Sequence, residues 1–457
     1  MSVYALTNPA TGVVEATYPT ATDTEIQAAL GRAGDAFGPW STTAPVERSA
    51  LLARVADLYD ERRDELAALI TREMGKPIFQ SGKELEITAA IYRYYAANGE
   101  KFLEDEELEV ASGGTALIRK EGVGVLLGIM PWNFPYYQVA RFAAPNLMNG
   151  NTIVLKHAPQ CPESALAMEK IFADAGAPEG AYVNIFATNE QVADIIADPR
   201  VQGVSLTGSE RAGSAVAAIA GANLKKVVLE LGGSDPFLVL ADANTQRAAK
   251  QAMFGRFGNT GQACNAAKRI IVDASIYDEF VGEFTLAVAG IKIGDPAAAD
   301  TFLGPLSSAA ARDGLDAQVR DAVEKGATVL AAGGPMDGPG SFYAPTVLAD
   351  VTPAMRAYTE ELFGPVAVIY KVENEEAAIE LANSSAYGLS ASIQTQDMDK
   401  AHEIARKLEV GMVSINQTSA SAPELPFGGV KRSGVGRELG KYGMEEFVNR
   451  KLVTFRG

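Results

Sequence analysis

The stretch Val123-Gly124-Val125-Leu126-Leu127-Gly128-Ile129-Met130-Pro131-Trp132-Asn133-Phe134-Pro135 decides the fold class. Its first seven residues are apolar or glycine with no polar alternation, which suits a parallel strand buried on both faces. Pro135 then stands where proline is tolerated, in the first turn of a helix. Residues 135–148 read as that helix, stopped by Asn149-Gly150, and residues 151–156 return to strand. The cycle repeats. Residues 162–175 place Ala165, Met168, Ile171, Phe172 and Ala175 at helical spacing before Gly176. Residues 182–186, 203–206 and 226–231 supply further strands, with helices from about Glu190 and Ser209 between them. Such alternation implies right-handed crossovers and a doubly wound sheet, whose ligand lies outside the carboxyl ends of the strands.

The alternation restarts after Asp235-Pro236 with strand 237–240, helix 243–257, a polar loop, strand 268–273 and a helix from Tyr277, so a second α/β domain is expected. Gly294-Asp295-Pro296, Gly333-Gly334-Pro335 and Gly338-Pro339-Gly340 read as surface turns within it. The 457 residues, 47% of them hydrophobic, suffice for two or three domains with large cores. A formal charge of −17 argues against nucleic acid or anionic membranes as partners, because phosphate recognition relies on basic patches. The first residues show no basic segment leading into an apolar core, and no later stretch stays apolar for about 18 residues, so a cytoplasmic location is expected. Cys161 and Cys264 cannot build a disulfide framework, and with His157 and His402 they show no metal-ligand spacing; no metal is expected.

Candidate chemistry concentrates in two loops. Asn259-Thr260-Gly261-Gln262-Ala263-Cys264 ends in a thiol, and Leu229-Glu230-Leu231-Gly232-Gly233 carries a carboxylate. A lone cysteine is more often a small buried hydrophobe, and a glutamate ending a strand is more often a solvated charge. Here the cysteine follows a polar glycine loop, and Gly232-Gly233 lets another backbone or a ligand approach closely. The pair suits a nucleophile and a base for two successive acyl-transfer steps. A free thiol titrates near pH about 8.5, so the site has to favour thiolate through nearby dipoles or a base. Asn133 stands where the first strand gives way to the helix. Its amide either points into the cleft or merely caps the helix starting at Phe134 or Pro135.

These runs together resemble the signature of the aldehyde dehydrogenase superfamily over essentially the whole chain. Glu360-Glu361-Leu362-Phe363-Gly364-Pro365 and the long run Pro426-Phe427-Gly428-Gly429-Val430-Lys431-Arg432-Ser433-Gly434-Val435-Gly436-Arg437-Glu438 extend the likeness. The resemblance implies an aldehyde-dehydrogenase-like α/β fold, with a Rossmann-type cofactor domain of residues 1–102 and 124–232 and an α/β catalytic domain of residues 233–432. A small oligomerisation element, residues 103–123 and 433–457, would make a homodimer or homotetramer. The same resemblance implies that a Cys264 thiolate attacks an aldehyde, that hydride passes to a nicotinamide, and that Glu230 activates water to hydrolyse the thioester. Asn133 and the Cys264 N–H would form the oxyanion hole. No Gly-x-Gly-x-x-Gly follows a strand, so the usual dinucleotide fingerprint is absent. The resemblance places the cofactor instead on Trp132, Lys156, Pro159, Gly208, Ser209 and Leu231, with Ser209 and its helix N-terminus near the pyrophosphate and Lys156 at the adenosine ribose. Glu361 and Phe363 would hold the nicotinamide ribose and ring.

One departure bears on the cofactor. Many NAD-preferring members carry a glutamate three residues after the strand-end lysine, and here that position is Pro159. NADP is thereby admitted, with Lys156 able to pair with its 2′-phosphate, and NAD remains possible. His157 is expected to be structural or adenine-side. Arg141 lies eight residues after Asn133, about two turns along the same helix and on roughly the same side. Ser419 and Ser421 lie in a loop after strand 411–415. Relatives acting on apolar aldehydes carry aromatics at the Arg141 and Ser421 positions; an arginine and a serine suit a substrate carboxylate. The alternative for Arg141 is a surface arginine on an amphipathic helix. Within the superfamily the chain most resembles bacterial NADP-using succinate-semialdehyde dehydrogenases, with Ala266 where many of that group have a second cysteine. The function expected is NAD(P)-dependent oxidation of succinic semialdehyde to succinate. The alternatives are another short aldehyde, such as glutarate semialdehyde, or a non-catalytic protein that kept the fold.

Overall fold

The run that opens at Val123 forms the middle of a six-stranded sheet. A computed structural model describes residues 4–111, 113–419 and 421–455. The strand order is Gly434–Val435, Lys226–Glu230, Val201–Thr207, Val125–Met130, Thr152–His157, Tyr182–Asn184. All neighbours are parallel except Gly434–Val435, which lies antiparallel on Lys226–Glu230. The chain moves outward from Val125–Met130 to Tyr182–Asn184 and then returns to the other side at Val201–Thr207. This reversal is a topological switch point, where carboxyl-end loops part to leave a crevice. Leu126, Ile153 and Leu155 enter one core while Val125, Leu127 and Val154 enter another, so both faces of the strands are covered. The helix Pro135–Met148 is buried at every residue. Four helices between Asp23 and Phe102 complete this domain.

The second sheet has the order Thr328–Ala331, Thr346–Ala349, Val366–Val372, Ala267–Asp273, Asp235–Val239, Ser390–Gln394, Met412–Ile415, and only its first pair is antiparallel. It too separates two cores. The polar loop that ends at Cys264 leads into the strand Ala267–Asp273. A third, antiparallel sheet joins Glu106–Leu108, Thr115–Gly122 and Val448–Phe455.

One boundary differs from the sequence reading. The sequence reading assigns residues 433–445 to the oligomerisation element, but Gly434–Val435 extends the first sheet and the short helix Gly440–Met444 packs on Pro135–Met148. Gly434 has φ 130°, and a Cβ there would collide with the Leu229 carbonyl, so glycine alone lets the returning chain lie this close. Among the described residues no helix is long and apolar enough to cross a membrane.

Candidate active site

The loop carrying Cys264 is built from uncommon backbone. Asn259, Thr260 and Gly261 all have positive φ, at 53°, 56° and 71°, and this region is unfavourable for a β-branched residue such as Thr260. Buried side chains hold it there. Asn259 Nδ2 donates to the carbonyls of Asn133, at 3.0 Å, and Gln262, at 3.1 Å. The fully buried Arg256 donates to the carbonyls of Gly261, Leu362, Gly364 and Val366, which fastens the cysteine loop to the loop of Glu361 and Phe363. The thiol of Cys264 is half-buried, whereas Cys161 is sealed at the start of the helix Pro162–Asp174. Ala266 lies buried two residues beyond the thiol. Burial pushes the Cys264 thiol up to about 12, against the opposing pull of Arg141 and Lys268.

The glycines after Glu230 do what close approach requires. A Cβ on Gly233 would lie 2.6 Å from the Cys264 carbonyl oxygen, and one on Gly232 would collide with the Glu361 carboxylate. The base loop, the nucleophile loop and the Glu361 loop therefore meet. Glu230 is 2% exposed and neither of its oxygens has a hydrogen-bond partner among the described residues. Burial raises its carboxyl well above the usual range; Arg141 opposes that shift and Glu438 adds to it.

Asn133 does not cap the helix. The cap position is Phe134, with no side-chain hydrogen bond, and Asn133 Nδ2 instead donates to the Gln262 carbonyl at 3.0 Å. Two N–H groups at the helix start, those of Tyr136 and Tyr137, go to Glu84 Oε1 at 2.9 and 3.2 Å, and Glu84 is itself ion-paired with buried Lys76. Asn133 thus keeps one amide hydrogen free. Among the described residues the Cys264 N–H also has no acceptor. His157 is structural: Nδ1 accepts from the Ala158 N–H at 2.8 Å, which leaves Nε2 to donate to the Pro135 carbonyl at 3.1 Å. Burial lowers it to about 4, so it is neutral.

Two cavities meet at this point. One, of about 280 Å³, is lined by Trp132, Asn133, Gly208, Ser209, Glu230, Leu231, Glu361 and Phe363. Another, of about 350 Å³, is lined by Arg141, Ser419, Ser421, Tyr137 and Phe427. Cys264 and Gln138 line both. In the first cavity Trp132 and Phe363 stand edge to face at 5.7 Å, and Thr207 Oγ1 is buried without a partner among the described residues. Ser209 caps the helix Glu210–Ala222, whose N-terminus faces the same space. An unpaired hydroxyl, a helix N-terminus and two aromatic walls suit the phosphate, ribose and ring of a dinucleotide. Lys156 and Pro159 lie outside this cavity, at and just past the end of the neighbouring strand. Lys156 is 5% exposed with no carboxylate partner among the described residues, and burial brings its ammonium down to about 8.

Arg141 is not a surface residue. It is 1% exposed, its Nε donates to Glu438 Oε2 at 2.6 Å, and its guanidinium lies 4.1 Å from the Phe427 ring centre. Nη2 also lies 2.6 Å from Glu438 Oε2, so Nε and Nη2 both engage that carboxylate, and among the described residues Nη1 alone has no partner. Ser419 accepts from Asn265 Nδ2 at 3.0 Å. Glu438, Lys268, Arg256, Glu84 and Gln138 were not singled out in the sequence. For Lys268 a signal was present: in Ala266-Ala267-Lys268-Arg269-Ile270-Ile271-Val272 two cations enter an otherwise apolar strand, a pattern that needs buried partners.

Comparison with known proteins gives the family. The sequence pattern of the aldehyde dehydrogenase family matches residues 2–453. A succinate-semialdehyde dehydrogenase [NADP(+)] of Deinococcus radiodurans is 53% identical over 98% of this chain and 94% of its own length. One of the same description from Mycobacterium avium is 45% identical over 98% and 96%. The crystal structure of succinic semialdehyde dehydrogenase from Streptococcus pyogenes, in complex with NADP+ as the cofactor, superposes with a TM-score of 0.97 at 43% identity, covering 99% of this chain and 100% of that one.

Proposed function

The chain belongs to the aldehyde dehydrogenase family, and we propose that it oxidises succinic semialdehyde to succinate with NADP as hydride acceptor. The observation that carries this reading is the position of Cys264 where two cavities meet, with Arg141, whose Nη1 is unpaired among the described residues, in the lining of one and Glu230 in that of the other. The names of the relatives supply the semialdehyde and NADP.

The aldehyde enters the cavity lined by Arg141, Ser419 and Ser421, where its far carboxylate meets the guanidinium and the hydroxyls. The Cys264 thiolate adds to the aldehyde carbon and forms a C–S bond. The carbonyl oxygen becomes an oxyanion that accepts from the Cys264 N–H and the free amide hydrogen of Asn133. NADP, when bound, supplies the acceptor for the hydride whose loss makes the thiohemiacetal a thioester. Water attacks the thioester carbon as Glu230 takes its proton, the C–S bond breaks, and the acid leaves with Cys264 returned as thiolate. Burial makes Glu230 a stronger base than an exposed carboxylate once it is ionised.

Trp132, Gly208, Ser209, Leu231, Glu361 and Phe363 would hold the nicotinamide and pyrophosphate, and Lys156 with Pro159 the adenosine ribose. The three-stranded sheet would join copies of the chain into a dimer or tetramer. The test is kcat/KM for succinic semialdehyde, glutarate semialdehyde and butyraldehyde with NADP and with NAD. Succinic semialdehyde with NADP should exceed every other combination, and parity with butyraldehyde would reject the substrate assignment.

A further inference from the structure

Lys268 is the second residue of the strand Ala267–Asp273, and its ammonium lies among three oxygens. It donates to the carbonyls of Cys264 at 2.7 Å and Ala263 at 3.0 Å, and it is 3.1 Å from Glu361 Oε1. Its side chain is 2% exposed, and Glu361 provides its only ion pair among the described residues. Glu361 also accepts from the Gly233 N–H at 3.1 Å and lines the cavity of Trp132, Ser209 and Phe363. One ammonium thus touches the main chain of the nucleophile and the carboxylate that faces the proposed nucleotide. The ammonium is desolvated while the Glu361 side chain keeps 19% exposure, and a charge buried at that cost is a poor device for cohesion alone.

We propose that Lys268 is a positioning residue that links occupancy of the nucleotide cavity to the reactivity of Cys264. The inference rests on the proposed cofactor reading. With the cavity empty, Glu361 balances the ammonium. When ribose hydroxyls donate to Glu361, the carboxylate holds Lys268 less tightly, and more of the ammonium's field falls on the thiol. The charged or titratable groups facing Cys264 are Arg141 and Tyr137 from the helix Pro135–Met148, Glu230 from its strand end, Glu361, and Lys268 itself. Of these, Lys268 is the one that bonds both the Cys264 carbonyl and Glu361.

The experiment measures iodoacetamide alkylation of Cys264 against pH in a Cys161→Ala background, with and without NADPH. NADPH carries the same ribose without the positive ring, so the ring's own charge does not enter. The midpoint of each pH profile is read, since shielding by the nucleotide changes the plateau and not the midpoint. In the parent, NADPH should lower the midpoint by about one pH unit, a roughly tenfold faster reaction well below the midpoint. Lys268→Met should raise the midpoint in the free protein and abolish the response to NADPH, and Lys268→Arg should restore part of it. Glu361→Gln should lower the midpoint without nucleotide, opposite in sign to Lys268→Met. A parent-like profile and NADPH response in Lys268→Met would overturn the proposal, as would shifts of the same sign in Lys268→Met and Glu361→Gln. If Lys268→Met does not fold, Lys268→Gln takes its place with the same expected rise and the same loss of the NADPH response, because Glu361→Gln alone removes a charge that itself acts on the thiol. NADPH binding, followed by tryptophan fluorescence, keeps the two readings apart. Binding without a midpoint shift defeats this inference alone, whereas absence of binding defeats the cofactor reading and the link with it.

Discussion

Replacing Arg141 by alanine tests the substrate assignment most directly, and the structure sets both its size and its control. The guanidinium holds Glu438 Oε2 through Nε and Nη2, each at 2.6 Å, and leaves Nη1 without a partner among the described residues, while Arg141 lines the cavity that reaches Cys264. A hydrogen bond to a charged group contributes roughly 1.5–3 kcal/mol. At about 1.4 kcal/mol per factor of ten, kcat/KM for succinic semialdehyde should fall roughly ten- to 150-fold. Butyraldehyde has the same four carbons and no carboxylate, and should be little affected. The substitution also strands Glu438, 4% exposed, without its cation. Breaking a buried pair in this way costs roughly 3–5 kcal/mol of stability. Arg141→Ala should therefore melt earlier than the parent, and adding Glu438→Gln should recover part of the loss. Any change transmitted to Glu230 through Glu438 acts on both aldehydes and cancels in their ratio. The assay is the ratio of kcat/KM for the two aldehydes at saturating NADP, in the single and double variants. Equal losses on both would mean that Arg141 supports the helix and not the substrate, and the semialdehyde assignment would then lack its structural support.

Cys264→Ala should abolish NADPH formation, whereas Glu230→Gln should lose steady turnover and retain a pre-steady-state burst only if another group ionises Cys264; sustained activity in Cys264→Ala would refute the covalent route. Pro159→Glu should weaken NADP far more than NAD by placing a carboxylate near the 2′ position, and an unchanged NADP/NAD ratio of kcat/KM would show that this residue does not border the ribose. The Lys156 ammonium, lowered to about 8 by burial, is charged below that pH and neutral above it. Preference for NADP over NAD should accordingly decline as pH rises through about 8, and a dissociation-constant ratio that is flat from pH 7 to 9.5 would exclude Lys156 as the phosphate partner. Ser421→Ala should show the selectivity of Arg141→Ala with a smaller loss.

The strand and helix at Val123–Met148 were legible because a buried parallel strand and a proline-started helix each leave a local pattern. The structure gives the helix as Pro135–Met148, the span read from the sequence. Cys264, Glu230 and Asn133 were legible for a different reason, since their loops match a known pattern. What the sequence did not reveal is pairing between distant segments. Glu438 meets Arg141, Glu84 meets the N–H groups after Asn133, and Lys268 meets Glu361, and none of these leaves a mark within a window of a few residues. The misplaced boundary at residues 433–445 has the same origin, because Gly434 returns to a strand that ended two hundred residues earlier in the chain. Helical spacing was not a valid link between Arg141 and Asn133, because Asn133 precedes the helix and lines the other cavity, and spacing could not tell a surface face from a helix buried on every side.

The surroundings of the two sulfurs bear on oxidative damage. With Ala266 beyond the nucleophile and Cys161 sealed in the core, Cys264 has no resolving thiol within the chain. Peroxide that reaches it would give a sulfenic acid that cannot be stored as an internal disulfide. The sulfur must be capped by a small external thiol or proceed to irreversible acids. Its protection at rest is protonation, since burial holds the thiol far above neutral pH, and oxidants attack thiolate. Vulnerability therefore accompanies turnover, and an idle enzyme should outlast a working one under the same oxidant.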